Sequence, residues 1–256
     1  MQHIEPLSLS SLSYRIAYLK SFMNFTTDDA EALHVAKAIV NPLVPNITNE
    51  VYAKLLSFDI TAQPFVSRNT GFEGETPTKV EDLNLDHPQI AFRKTVLRKY
   101  LGVLMTSDYN DDKTWEYLDK VAIMHTGQAG FAHRKSKPEL RVEYMHMASM
   151  LGFVMDLVLG AVIENPDLDE TTKSAVLRAF NKVIWIQNDL FARHYMPDPY
   201  AAPDCKTELS PSTPNADSPS TSGILQTPST SSTAVISESG QKDAPSFWLK
   251  LRQRFD

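Results

Sequence analysis

Apolar residues along this chain recur every three or four positions, and the stretches between them are polar and broken by proline or glycine, a pattern that predicts an all-α protein. Leu12, Ile16, Leu19 and Met23 define a short first helix that stops near Asn24. A second opens at Thr26 or Thr27, either of which can cap it. Asp28 and Asp29 put negative charge in its first turn, where the helix dipole favours it, and it runs to about Val40. Pro42 and Pro45 bracket the turn into a third helix, striped by Val44, Ile47, Val51 and Leu55, with Tyr52 at its shoulder and an end near Ser57.

Residues 64–86 contain Gly71, Gly74 and Pro77 and show no period, which predicts a loop. Pro88 suits the first turn of a helix carrying Ile90, Leu97, Leu101 and Leu104, with Phe92, Val96 and Tyr100 beside that stripe. The Asp111/Asp112 pair opens the next helix, which includes Trp115, Leu118, Ala122 and His125 and is ended by Gly127 and Gly130. After a basic loop (HRKSKPE), Pro138 leads into a long apolar helix to about Ile163, and a last helix over 173–195 carries Leu177, Phe180, Ile184 and Phe191. No segment alternates with the period of a strand, so about eight helices are expected in a domain over 1–196.

Composition narrows the function classes. A net charge of -6 with no long basic run in the first two hundred residues gives no footprint for nucleic acid. The one cysteine, Cys205, supports neither a disulfide framework nor a cysteine-based metal site, and with an N-terminus unlike a secretory signal it points to a cytoplasmic location. Residues 145–163 approach the length of a membrane span, but they carry His146 and Asp156, and a charge at mid-bilayer costs roughly 3 kcal/mol or more. A helix buried almost all round is expected instead of a transmembrane segment. Residues 197–244 are rich in Ser, Thr and Pro and poor in large apolar side chains, which predicts a disordered linker. In 245–256, Phe247, Trp248, Leu251 and Phe255 oppose Lys250, Arg252 and Arg254. They form either a basic amphipathic element for a membrane surface or a protein, or a frayed terminal helix with no task.

Seven histidines are present, with no H-x-x-x-H, H-E-x-x-H or carboxylate cluster for zinc or di-iron chemistry. His3, His34, His87 and His194 lie at helix ends, polar faces or the terminus, and His133 sits in the basic loop. His146 is on the long apolar helix without a second ligand nearby. His125 differs: flanked by Ile123 and Met124 and followed by Thr126-Gly127, its imidazole can project past a helix end into apolar space. One neutral imidazole in such a place suits a haem iron, whose other ligands come from the macrocycle. The alternative is an ordinary core or surface histidine.

The segments FMNFTTDDAEAL, NEVYAKLLSF, SDYNDDKTWEYLDKVAIMHTG and KVIWIQNDLFARHY, together with an extra helix ahead of the first, resemble the protoglobin and globin-coupled sensor branch of the globins across residues 12–196. The resemblance implies a globin-like helical sandwich that carries haem b. The family's proximal histidine falls on His125 and its distal tyrosine on Tyr52, preceded here by Val51 where the family has an aromatic. It implies Leu97 on the distal side, with Val96 beside it, and Arg93 one turn earlier, facing the gas, a haem propionate or solvent. Leu140, Tyr144 and Met145 at the start of the long helix, and Phe180 and Ile184 in the last, are pocket candidates or plain core. Tyr52 is either a hydroxyl donor aimed at the ligand or a half-buried packing residue.

These expectations describe a protein that reversibly binds oxygen, carbon monoxide or nitric oxide as a sensor or scavenger. Nothing in the sequence specifies catalysis beyond haem-based redox chemistry, and a homodimer through the last two helices is an accompanying expectation. The rival expectation is a globin-shaped interaction or signalling module that has lost haem.

Overall fold

The computed structural model describes residues 1–197, so the expected linker and basic end beyond them lie outside the described residues. Helix α1 (Leu12–Phe22) stops where Asn24 takes a left-handed conformation, φ 51°, a geometry asparagine tolerates better than most side chains. Helix α2 (Thr27–Val40) opens with the Asp29 carboxylate accepting the Thr26 backbone N–H at 2.8 Å. The same carboxylate pairs with Lys182 at 2.8 Å, which ties the start of α2 to the last helix, over Glu170–Ala192. Helix α3 (Val44–Leu56) begins with Pro45 in its first turn and is followed by a four-residue turn, α4 (Asp59–Ala62). Pro88 starts α5 (Pro88–Leu104), and Asp111 caps α6 (Asp112–Met124) by accepting the Lys113 N–H at 3.0 Å. Helices α7 (Tyr144–Ile163) and α8 (Glu170–Ala192) complete the set.

Helix α8 is the central element: α2, α6 and α7 all pack against it, while α3 packs on α5 and α7. Leu33, Ile47, Ile90, Leu118, Val162, Ile186 and Leu190 are buried where these helices meet. Each such side chain contributes about 1.5–3 kcal/mol by leaving water. Arg15 of α1 grips Asp189 of α8 through Nε at 2.5 Å and Nη2 at 2.7 Å, so the extra first helix is fastened to the same element.

The structure corrects the sequence reading in four places. The long helix does not start at Pro138: residues up to 143 are non-helical, because the Val142 N–H donates to the His125 carbonyl (2.9 Å) and the Gly127 N–H to the Leu140 carbonyl (3.0 Å). Leu140 therefore sits on an extended segment and not on a helix. The last helix starts three residues early, at Glu170, where Asp169 accepts the Thr172 N–H. Helix α7 is not buried all round. It has the length and apolarity of a membrane span, but only 22% of its most apolar stretch is buried; the buried residues of the whole helix are Val154, Leu157, Val158, Ala161 and Val162. Helix α4 is too short to leave a period in the sequence, which gives no sign of it.

Candidate functional site

Helix α6 ends at Met124 because Gly127 and Gly130 take left-handed conformations, φ 96° and 63°, just beyond it. His125 occupies the C-cap, where its side chain leaves the helix. Its Nδ1 lies 2.8 Å from the carbonyl oxygen of Val121, and since a carbonyl only accepts, Nδ1 carries the proton. Nε2 thus keeps its lone pair, and the one side-chain hydrogen bond of His125 among the described residues is that of Nδ1. The ring is held edge-on against Phe191 of α8, centroids 5.6 Å apart. Burial pushes the imidazole pKa down to about 4. The cations Arg134 and Arg93 push the same way, against the Val121 hydrogen bond, which favours the protonated ring. At neutral pH this is a neutral imidazole with one open nitrogen, partly exposed although protein surrounds it, as on the wall of a concavity.

Tyr52 on α3 is 8% exposed and packs its ring against Phe65 at 5.7 Å. Its hydroxyl makes no hydrogen bond among the described residues, and burial raises its pKa to about 12, with Arg93 pulling the other way. It stays a neutral O–H donor. Arg93 of α5 lies over the Phe65 ring at 4.8 Å, a cation–π contact, and donates to the Asn69 side-chain oxygen. Arg134, from the loop after His125, donates to the Asn69 backbone carbonyl. Both residues are 6% exposed, neither guanidinium meets a carboxylate among the described residues, and the Nε of each is buried without a partner. Burial lowers the Arg93 pKa to about 10, which leaves it charged at neutral pH. Arg93 acts on the charge of both Tyr52 and His125, so it links the two expected site residues.

Beside this cluster lies an open cleft of about 820 Å³, within the roughly 300–1,000 Å³ usual for cofactor and ligand pockets. Asp59, Gln63, Asn69, Glu139 and Arg141 line it. Asn69 is the residue shared by the two arginines, and Arg141 belongs to the segment stitched to the His125 turn.

The remaining expected residues are spread out. Leu97 is half-buried, and Val96, off the buried stripe of α5, is 47% exposed. Leu140 is buried on its extended segment, Tyr144 donates to the Asn188 side-chain oxygen at 3.2 Å, and Met145 is 64% exposed. Phe180 and Ile184 line a different space, an apolar cavity of about 10 Å³ with Ile47, Leu101, Leu104 and Val158, too small and dry for more than a single water. His87 caps α5 and His194 pairs with Asp119, so both are structural. Asn69, Phe65 and Arg134 escape the sequence reading. The only signal they leave is polar or aromatic character in segments with no period.

This arrangement, an all-α fold with an open imidazole at the end of one helix and a buried cationic cluster near a neutral tyrosine, is that of a globin-class domain. The fold is shared with the globin domain of the Geobacter sulfurreducens globin-coupled sensor, at a TM-score of 0.52 and 18% identity over 71% of this chain and 97% of that one. The chain matches the Protoglobin family over residues 12–199 and belongs to that family. No curated protein sequence matches it.

Proposed function

We propose that this domain carries haem b, ligated by His125, and reversibly binds a diatomic gas such as oxygen, carbon monoxide or nitric oxide. The observation that carries this reading is the state of the His125 ring, neutral, anchored through Nδ1 and open at Nε2. A ligand histidine needs that tautomer, and a backbone acceptor on its other nitrogen fixes the ring's orientation. When bound, the haem iron supplies the open coordination position at which the gas is held.

The chain's own residues fit the rest of such a group. Tyr52 keeps its proton up to about pH 12 and offers an O–H that no protein acceptor claims among the described residues. A hydroxyl in that state is free to rotate towards a polarised ligand. Arg93 and Arg134 are buried cations lacking anionic partners among the described residues, and each retains a partnerless Nε–H, so these two residues would hold the propionate carboxylates of a bound haem. Leu97, one turn along α5 from Arg93, and Leu140 add apolar contact.

Purified full-length protein mixed with haem tests the proposal by its absorption spectrum. A Soret band that is lost or shifted in His125→Ala is expected. No band, or an identical band in His125→Ala, overturns the reading and leaves a haem-less interaction module.

A further inference from the structure

Helix α8 ends at Ala192, and the next three residues are fastened on both sides of the turn that presents His125. Arg193 and His194 reach Asp119 on α6, with His194 Nε2 2.7 Å and Arg193 Nη1 3.6 Å from the same carboxylate oxygen. The Tyr195 hydroxyl lies 2.9 Å from the His125 carbonyl oxygen and 2.6 Å from that of Val142. A phenol has one proton, so it can serve these two acceptors only by sharing it or alternating between them. The His125 carbonyl already accepts the Val142 N–H at 2.9 Å, which makes the Val142 carbonyl the needier partner and the nearer one. Tyr195 therefore sits on a balance between two peptides, one belonging to His125 and one to the segment that stitches the His125 turn in place. Its ring also packs on Tyr144, the first residue of α7, at 5.7 Å.

From this geometry we infer that Tyr195 is a positioning residue for His125. A displacement of the His125 peptide redistributes its shared proton and is felt at the end of α8, two residues before Pro197. The inference rests on His125 being the iron ligand, but the hydrogen bond itself exists without haem. The His125 ring is held by Val121, and its peptide carbonyl by the Val142 N–H and the Tyr195 hydroxyl, which also grips Val142 itself; removing that hydroxyl loosens both peptides and lets the imidazole shift with its backbone.

The experiment uses the full chain with haem and reads the iron–histidine stretching band of the ferrous, gas-free protein by resonance Raman. Tyr195→Phe keeps the ring and removes the O–H, and a shifted band is expected. Tyr144→Phe, whose hydroxyl bonds Asn188 and not His125, is expected to leave the band in place. In haem-free protein the same Tyr195→Phe change is expected to move the imidazole resonances of His125 in NMR. Absence of the Raman band from wild type, together with a moved resonance in Tyr195→Phe, would sink the haem reading and keep the clamp. An unmoved band and unmoved resonances, with helical circular dichroism intact, overturn the clamp. If Tyr195→Phe loses its helical signal, Asp119→Asn, which loosens the hold of Arg193 and His194, the two residues before Tyr195, on α6, is read in both assays, and no shift in either again overturns it.

Discussion

The Nδ1 of His125 lies 2.8 Å from the carbonyl oxygen of Val121, four residues back on α6, and this bond settles which ring nitrogen is available. In haem-free protein the burial of the same ring also fixes how stability depends on pH. The folded pKa is about 4, whereas an unfolded histidine titrates near 6.5. Between these values the unfolded chain binds the proton and the folded chain does not, so stability falls as pH drops through that window and is unaffected above it. Urea unfolding at pH 7 and pH 4.5 is expected to show wild type losing about 2 kcal/mol more than His125→Gln. Parallel losses would mean that the ring is not held neutral.

Tyr52→Phe separates the hydroxyl from the ring. The ring's contact with Phe65 is kept, and the hydroxyl has no protein partner among the described residues to lose. Stability is expected to change by less than about 0.5 kcal/mol. Gas dissociation, measured by flash photolysis on the haem-loaded protein, is expected to quicken about fivefold, the equivalent of one hydrogen bond of about 1 kcal/mol. An unchanged rate would show that the hydroxyl does not reach the gas.

The cationic pair behaves differently in the presence and absence of haem. Arg93→Met and Arg134→Met each remove a buried charge that no carboxylate among the described residues balances, and each leaves one Asn69 oxygen without its donor. Those effects oppose each other, and the haem-free protein is expected to change by no more than about 1 kcal/mol. Haem affinity, read from the rate of haem transfer to a scavenging protein, is expected to fall about tenfold or more, since a charge-assisted bond contributes about 1.5–3 kcal/mol. Wild-type affinity in both variants would place the carboxylates elsewhere.

Local signals carry the fold further than they carry the site. Pro88 and Asp111 mark helix starts by chemistry that acts within one turn, and the α5 and α6 stripes follow from a period that repeats. His125 is legible for the same reason, since its apolar neighbours and the glycines after it are adjacent in sequence. Leu140 reads as helical because its neighbours keep helical composition. What holds it extended is a pairing with Gly127, which a one-dimensional period does not register. Asn69 meets Arg93 across 24 positions and Arg134 across 65. Only the folded chain brings such a triad together, and a basic loop reads as solvated until then. Val96 and Leu97 are adjacent, yet a step of about 100° along α5 leaves the first exposed and the second half-buried.

The glycines after His125 are needed for reasons that differ from those of the helical glycines. A Cβ on Gly130 would lie 2.6 Å from the Lys120 carbonyl oxygen and 3.0 Å from the Met124 nitrogen, both backbone atoms of α6, and the φ of 63° is already disfavoured for a side chain. Neither clash can be relieved by a rotamer, so Gly130→Ala must shift the loop or the end of α6 itself. Its cost is expected to be about 1–3 kcal/mol, with the His125 turn loosened in consequence. Gly102 on α5 and Gly152 on α7 lie inside helices, and a methyl group added at either would meet nothing within 4 Å. There alanine is expected to stabilise by about 0.5–1 kcal/mol. Thermal unfolding of the three single variants in haem-free protein gives the signs directly. A Gly130→Ala melting temperature at or above that of wild type would contradict the close packing of this loop against the helix that presents His125.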